Sequence, residues 1–203
     1  MKNIIKNTAI LTIITLVAGI LLGLVFEITK EPIAQAKEKA KNEAYQAVMK
    51  DADTFDAEVV LKPEEVSKLL AKKEITGCSV DEVVAAKAKG EIIGYIFTTT
   101  TSEGYGGNIQ ISVGILNDGT VTGVEMLSIS ETAGLGMNAN TPEFKNQFAD
   151  KKVDGFVVTK TGAASDNEID AISGATITSK AVTNAVNTAI VCYQEWLGGS
   201  VNE

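Results

Sequence analysis

The chain contains no histidine, which removes the Ser/His/Asp and Cys/His catalytic pairs and every imidazole metal ligand. Arginine is missing as well: all 18 basic residues are lysines, against 26 acidic ones, for a net charge of −8 over 203 residues. The planar fork that grips phosphate or guanine in two places is therefore absent, and an acidic chain repels a polyanion, so nucleic acid is a poor partner. Cysteine is scarce. Cys78 and Cys192 stand far apart and belong to no CxxC pair, so neither a zinc ribbon nor a dithiol redox centre can be built. Each reads as a buried small hydrophobe, with an odd disulfide or a reactive thiol as the other readings. The three prolines, Pro32, Pro63 and Pro142, each suit the first turn of a helix.

Charge is also absent between Lys6 and Glu27, where residues 8–26 read TAILTIITLVAGILLGLVF. At about 1.5 Å per residue some twenty residues cross a hydrocarbon core of roughly 30 Å, whereas the apolar part of a signal peptide usually has about 7–15. Lys2 and Lys6 precede the run and Glu27 follows it, so the bias of basic residues toward the cytoplasm places Met1 inside. The expected organisation is a cytoplasmic amino terminus at 1–7, a transmembrane helix at 8–26, a stalk with short helices at 27–76, and an exported domain at 77–203, single-pass in the cell membrane. A cleaved signal peptide would use Ala34-Gln35-Ala36, which sits far beyond the apolar run. A lipoprotein would need a cysteine at the end of that run, and the first is Cys78.

Beyond the apolar run, residues 31–50 are rich in Ala, Lys, Glu and Gln with apolar residues at helical spacing, predicting a stalk helix with Pro32 in its first turn. A short helix is expected at 63–72, where Val66, Leu69 and Leu70 make an apolar face. After Gly77 the pattern turns to strands at 80–87, 91–99, 109–116 and 120–129, the last two joined by Asn117-Asp118-Gly119, a strong hairpin signal. Thr141-Pro142-Glu143 predicts a helix with cap, proline and acid in order, carrying Phe144 and Phe148. A strand near 156–159 and a long helix at 177–197 complete the chain; on that helix Val182, Ala185, Val186, Ala189, Ile190, Tyr193 and Leu197 form one apolar stripe. The fold class is α+β: an N-terminal transmembrane helix and stalk helix, then an antiparallel sheet flanked by helices.

Three stretches are richer in glycine and hydroxyls than packing requires. Gly104-Tyr105-Gly106-Gly107 leads into a strand, and Glu131-Thr132-Ala133-Gly134-Leu135-Gly136 follows the fourth one. Either is a plain turn, or a place where backbone approaches something flat. Asp170-Ala171-Ile172-Ser173-Gly174-Ala175-Thr176 stands directly before the last helix. The free N–H groups and positive dipole end of a helix start suit a phosphate; the plainer reading has Ser173 or Thr176 as a helix cap.

The order of the three, with the Phe-containing helix between the second and third, resembles the FMN-binding domain of the G subunit of the Rnf electron-transport complex and of its relative, the C subunit of the sodium-pumping NADH:quinone reductase. The resemblance covers about residues 80–197 and extends to the single amino-terminal membrane helix. It implies FMN joined through a phosphodiester to Thr176, with Ser173, Gly174 and Ala175 beside it. It also implies that Glu131, Thr132, Gly134, Leu135 and Gly136 lie against the isoalloxazine ring, and that a separate flavin transferase recognises Asp170, Ser173, Gly174 and Ala175. No catalytic residue and no metal ligand is expected. Ala133 stands where the family loop usually has proline, and Ser130 near a place often held by histidine. The implied role is a membrane-anchored electron carrier, one subunit of an ion-translocating ferredoxin:NAD oxidoreductase that couples electron flow to Na⁺ or H⁺. The implied partners are the other membrane and peripheral subunits, the transferase and the lipid bilayer. A related FMN carrier of a sodium-pumping quinone reductase or of an extracellular reduction chain shares these features. A cofactor-free, surface-anchored binding domain is the alternative from another class.

Overall fold

The computed structural model describes residues 1–198, apart from the side chains of Lys2 and of residues 57–59; the last five residues of the domain expected at 77–203 lie outside the described ones. Two compact units are present, Met1–Asn42 and Glu43–Glu203. The first lies within helix α1, Lys2–Val48, whose apolar side chains, among them Ile10, Leu16, Ile20, Leu24 and Phe26, are exposed. This helix is long and apolar enough to cross a membrane. It corrects one expectation: the chain does not stop and restart at Pro32, which sits inside a single continuous helix. A proline lacks only its own N–H bond and crowds the carbonyl four residues back, and the strong helix formers on both sides of Pro32 outweigh that local loss.

In the second unit the last residues of α1 are followed by β1 (Thr54–Val59), α2 (Pro63–Lys72), β2 (Cys78–Ala88), β3 (Glu91–Thr101), β4 (Ile109–Leu116) and β5 (Val121–Ser128). The five strands form an antiparallel meander in chain order. Four were expected; β1 was missed, although Thr54, Asp56 and Glu58 alternate with Phe55, Ala57 and Val59 in the period-2 manner of a half-buried strand. The Asp118 carboxylate closes the β4–β5 turn by accepting the Thr120 N–H at 2.9 Å, and Gly119 supplies the required positive φ of 88°.

Strand periodicity sends alternate residues to the two sheet faces. On one face Phe97, Ile109, Ile111, Val113 and Ile115 pack in the main core with Val182, Val186, Ala189 and Ile190, all on helix α4 (Thr176–Trp196). On the other, Val84, Ala86 and Ile96 meet Tyr45 and Val48 from the end of α1 and Met49 just beyond it, and the Thr122 hydroxyl donates to the Val48 carbonyl. Between β5 and α4 come a 3-10 turn (Gly136–Asn140), α3 (Pro142–Lys145), a second 3-10 turn (Asn146–Phe148), and two short parallel strands, β6 (Val157–Thr159) and β7 (Glu168–Asp170). Phe148 stacks edge-on with Phe144 and Phe156 at centroid distances of 5.6 and 5.2 Å. Thr141 holds the N-cap position of the four-residue α3 but makes no side-chain cap bond; its hydroxyl turns back to donate to Asn138 O at 2.9 Å.

Candidate functional site

The three glycine-rich stretches meet. Tyr105, Glu131, Thr132, Leu135, Gly136, Gly174, Ala175, Thr176, Ile177 and Thr178 line one cleft of about 600 Å³, a size that suits a cofactor. Two other surface clefts, of about 520 and 690 Å³, contain none of these motifs.

Each wall has a local cause. Residues 102–108 connect β3 to β4 and residues 129–135 follow β5; in the antiparallel sheet the β3–β4 loop and the exit of β5 lie at the same end, which brings the first two motifs together. Glu131 ties them together by accepting the Gly106 N–H at 3.2 Å. A Cβ on Gly104 would meet the Gly107 carbonyl, and one on Gly136 would come within 2.6 Å of Glu131 Oε2 and 2.7 Å of Thr178 Oγ1. No other residue fits either place without displacing a wall.

The third motif arrives with α4. Gly174 takes a φ of 75°, a left-handed conformation that glycine adopts without strain. The Ser179 hydroxyl holds this loop, accepting the Ile172 N–H at 2.9 Å and donating to Ala175 O at 3.0 Å. Neither Ser173 nor Thr176 caps the helix: the cap position is Ala175, with no side-chain bond. Ser179 N–H closes the first turn on Ala175 O, leaving the amides of Thr176, Ile177 and Thr178 as the unpaired first donors of a 21-residue helix. No lysine lines the cleft and Glu131 is its one charged lining residue, so the helix start is the feature there that favours an anion. The Thr176 side chain is half-buried, and its hydroxyl has no hydrogen-bond partner among the described residues.

Of the expected site residues, Glu131, Thr132, Leu135, Gly136, Gly174, Ala175 and Thr176 line the cleft, while Asp170, Ser173 and Gly134 do not. Asp170 ends β7, and its N–H donates to Gln147 Oε1 at 2.6 Å. Gly134 instead provides a turn with φ of 75°. Ile177 and Thr178 lie outside the three motifs, and Tyr105, within the first of them, was given no role of its own. In the structure Tyr105 and Ile177 are large apolar side chains left 73% and 55% exposed, which the sequence does not show. Both cysteines lie elsewhere and are free; burial raises the Cys78 thiol and pushes that of Cys192 up to about 12. Among the described residues no cluster of three metal-ligating side chains occurs.

Residues 104–191, which hold all three motifs, match the FMN-binding domain family, and residues 1–48 match the RnfG N-terminal region. The G subunit of the Na⁺-translocating ferredoxin:NAD⁺ oxidoreductase complex of Acetobacterium woodii is 35% identical over 95% of this chain and 93% of its own. The chain belongs to the family of Rnf G subunits. Another member of this family, the G subunit of the proton-translocating ferredoxin:NAD⁺ oxidoreductase complex of Clostridium ljungdahlii, is 34% identical over 98% of this chain and 96% of its own. The fold is also that of the C subunit of the Na⁺-translocating NADH-quinone reductase from Parabacteroides distasonis, at a TM-score of 0.55 and 20% identity over 82% of this chain and 96% of that one.

The cleft fits FMN. Gly104, Gly106 and Gly136 let the loops that wall it close on one another, its helix start offers free amides to a phosphate, and Tyr105, Leu135 and Ile177 give an exposed apolar rim for a planar ring.

Proposed function

We propose that this chain carries FMN as a phosphodiester on Thr176 and serves as the extracytoplasmic electron carrier of an Rnf-type complex. It works between neighbouring subunits on the route linking reduced ferredoxin and NAD⁺, a flow coupled to Na⁺ or H⁺ translocation. The observation that carries this reading is the mouth of α4, where a half-buried, unpartnered hydroxyl stands beside open helix amides in the cleft that unites all three glycine motifs.

FMN, when bound, supplies the electron-accepting and electron-donating chemistry. The chain's residues hold and surround it. The amides of Thr176, Ile177 and Thr178 receive the phosphate, so no arginine is needed. Leu135, Tyr105 and Ile177 shield a planar ring from water, and Glu131 fixes the loop that carries Tyr105. In the attachment step the Thr176 oxygen would form a new P–O bond as its hydroxyl gives up its proton, while the bond from that phosphorus to the leaving phosphate of an FMN-containing phosphoanhydride, supplied with the transferase, breaks and the leaving phosphate departs. The residue thereby gains the mass of FMN less one water. The hydroxyls nearby are poor competitors: Thr178 is buried and Ser179 is engaged on both sides. A separate transferase makes the bond by reading the segment from Asp170 to Thr176. Outside the cytoplasm a dissociated cofactor is not replaced, so a covalent tether is functionally favoured. Two relatives of similar identity serve complexes named for different ions, which supports an electron-carrying rather than an ion-selecting role.

Mass spectrometry of the wild-type peptide containing Thr176, from protein made together with the transferase, is expected to show FMN less one water. Thr176→Ala is expected to be folded, colourless and dark in a denaturing gel under ultraviolet light. An unmodified wild-type peptide, or a fluorescent Thr176→Ala band, overturns the assignment.

A further inference from the structure

Four hydroxyl side chains are buried along α4: Thr178, Ser179, Thr183 and Thr188. Three are satisfied within the helix or its leading loop. Ser179 bonds Ile172 N and Ala175 O, Thr183 donates to Ser179 O at 2.8 Å, and Thr188 donates to Asn184 O at 2.8 Å. The fourth, Thr178, is only 1% exposed and has no hydrogen-bond partner among the described residues.

Its position explains why. A helical threonine usually returns its hydroxyl to a carbonyl one turn back. For Thr178 the carbonyl four residues back belongs to Gly174, which lies outside the helix at a φ of 75°. The one three residues back, Ala175 O, already accepts from the Ser179 N–H and hydroxyl. With no partner in its own helix, the hydroxyl opens onto the cleft that it borders, so a bond there can come only from what occupies the cleft. Gly136 stands opposite, and a Cβ there would come 2.7 Å from Thr178 Oγ1. Glycine at that place keeps the hydroxyl uncovered.

We infer that the Thr178 hydroxyl is a hydrogen-bond donor to the flavin ring in this cleft, a polar contact separate from the ester at Thr176 that favours the reduced form. The inference rests on the reading of the cleft as the FMN site. Reduction adds electron density to the ring's heteroatoms, and a donor already in place in a water-poor pocket stabilises that charge without reorganisation. Attachment and tuning are thereby divided between two threonines two residues apart.

The test uses the full chain made with the transferase, comparing wild type, Thr178→Val and Thr178→Ser. Thr176 is intact in all three, so each is expected to fluoresce in a denaturing gel. Thr178→Val, nearly the same shape without the hydroxyl, should lower the ratio of reduced to oxidised flavin at a fixed ambient potential about tenfold, the size of one hydrogen bond to a charged group. Thr178→Ser should restore the ratio to within about twofold. An unchanged ratio in Thr178→Val, or a Ser variant that behaves like Val, overturns the inference. A purely structural hydroxyl would instead lower the melting temperature of the flavin-free Thr176→Ala background when Thr178→Val is added, with no change in the ratio, and this also overturns it. Should wild type lack the covalent adduct, the ester reading fails by itself. The Thr178 contact is then read by titrating free FMN into the full chain, where about tenfold weaker binding by Thr178→Val supports it and equal affinity overturns it.

Discussion

At the scale of single residues, the cleft separates side chains that look equivalent in the sequence. Leu135 and Leu197 are both leucines near glycine, yet Leu135 is 43% exposed on the cleft rim while Leu197 is buried in the core. Leu135→Asp therefore leaves the packing intact. It is expected to retain in-gel flavin fluorescence while shifting the flavin's visible absorbance or potential, because a carboxylate beside the ring opposes the charge gained on reduction. An unaltered spectrum and potential would place the loop away from the ring. Cys192 offers a pH test remote from the site. Burial pushes its thiol up to about 12, above its value in an unfolded chain. The neutral thiol's contribution is thus fully present below the unfolded value and is lost as pH rises from about 9 toward 12. Wild type is expected to lose stability over that window more steeply than Cys192→Ala in denaturant titrations; parallel curves would remove Cys192 as a cause.

At the scale of elements, the decisive joint is the loop before α4. Ser179 makes both of its hydrogen bonds to that loop, so Ser179→Ala removes two contacts and leaves the Ile172 N–H without its partner. A cost of about 1–3 kcal/mol is expected, read as a lower melting temperature. Slower flavin attachment should accompany it, although Thr176 itself is untouched, and attachment at the wild-type rate would show that the transferase does not need the loop preformed. Other elements were plain in the sequence because their signals are local. The Asp118-Gly119 turn and the apolar stripe of α4 are examples, all seven of whose expected members are buried. Strand β7 was not legible: three residues carry no period, and Glu168–Asp170 is a strand only because β6 lies beside it.

At the scale of the whole molecule, one helix long and apolar enough to span a bilayer precedes a compact unit that holds the cleft. The proposed orientation, amino terminus inward and cleft outward, rests on Lys2 and Lys6 ahead of the apolar run against Glu27 after it. Protease added to intact cells stripped of their wall is expected to digest the domain, whereas digestion only in inverted vesicles would reverse the orientation.

Sequence by itself determined what depends on composition and short-range order. It excluded histidine chemistry and arginine-mediated phosphate binding, and marked the apolar run, the hairpins and the three glycine motifs. It also marked Thr176 as the closing residue of the third. Only the tertiary structure decided which motif residues face a common space. Asp170, Ser173 and Gly134 belong to the motifs but not to the cleft wall, while Ile177 and Thr178, outside the motifs, join it with Tyr105 of the first. The reason is that a turn's residues alternate between directing side chains outward and satisfying backbone bonds, and that division depends on partners far along the chain. Glu131 meets Gly106 across 25 positions, and Gly136 meets Thr178 across a longer stretch still. No local pattern records such contacts, because they exist only once the sheet has brought the β3–β4 loop and the exit of β5 to the mouth of α4.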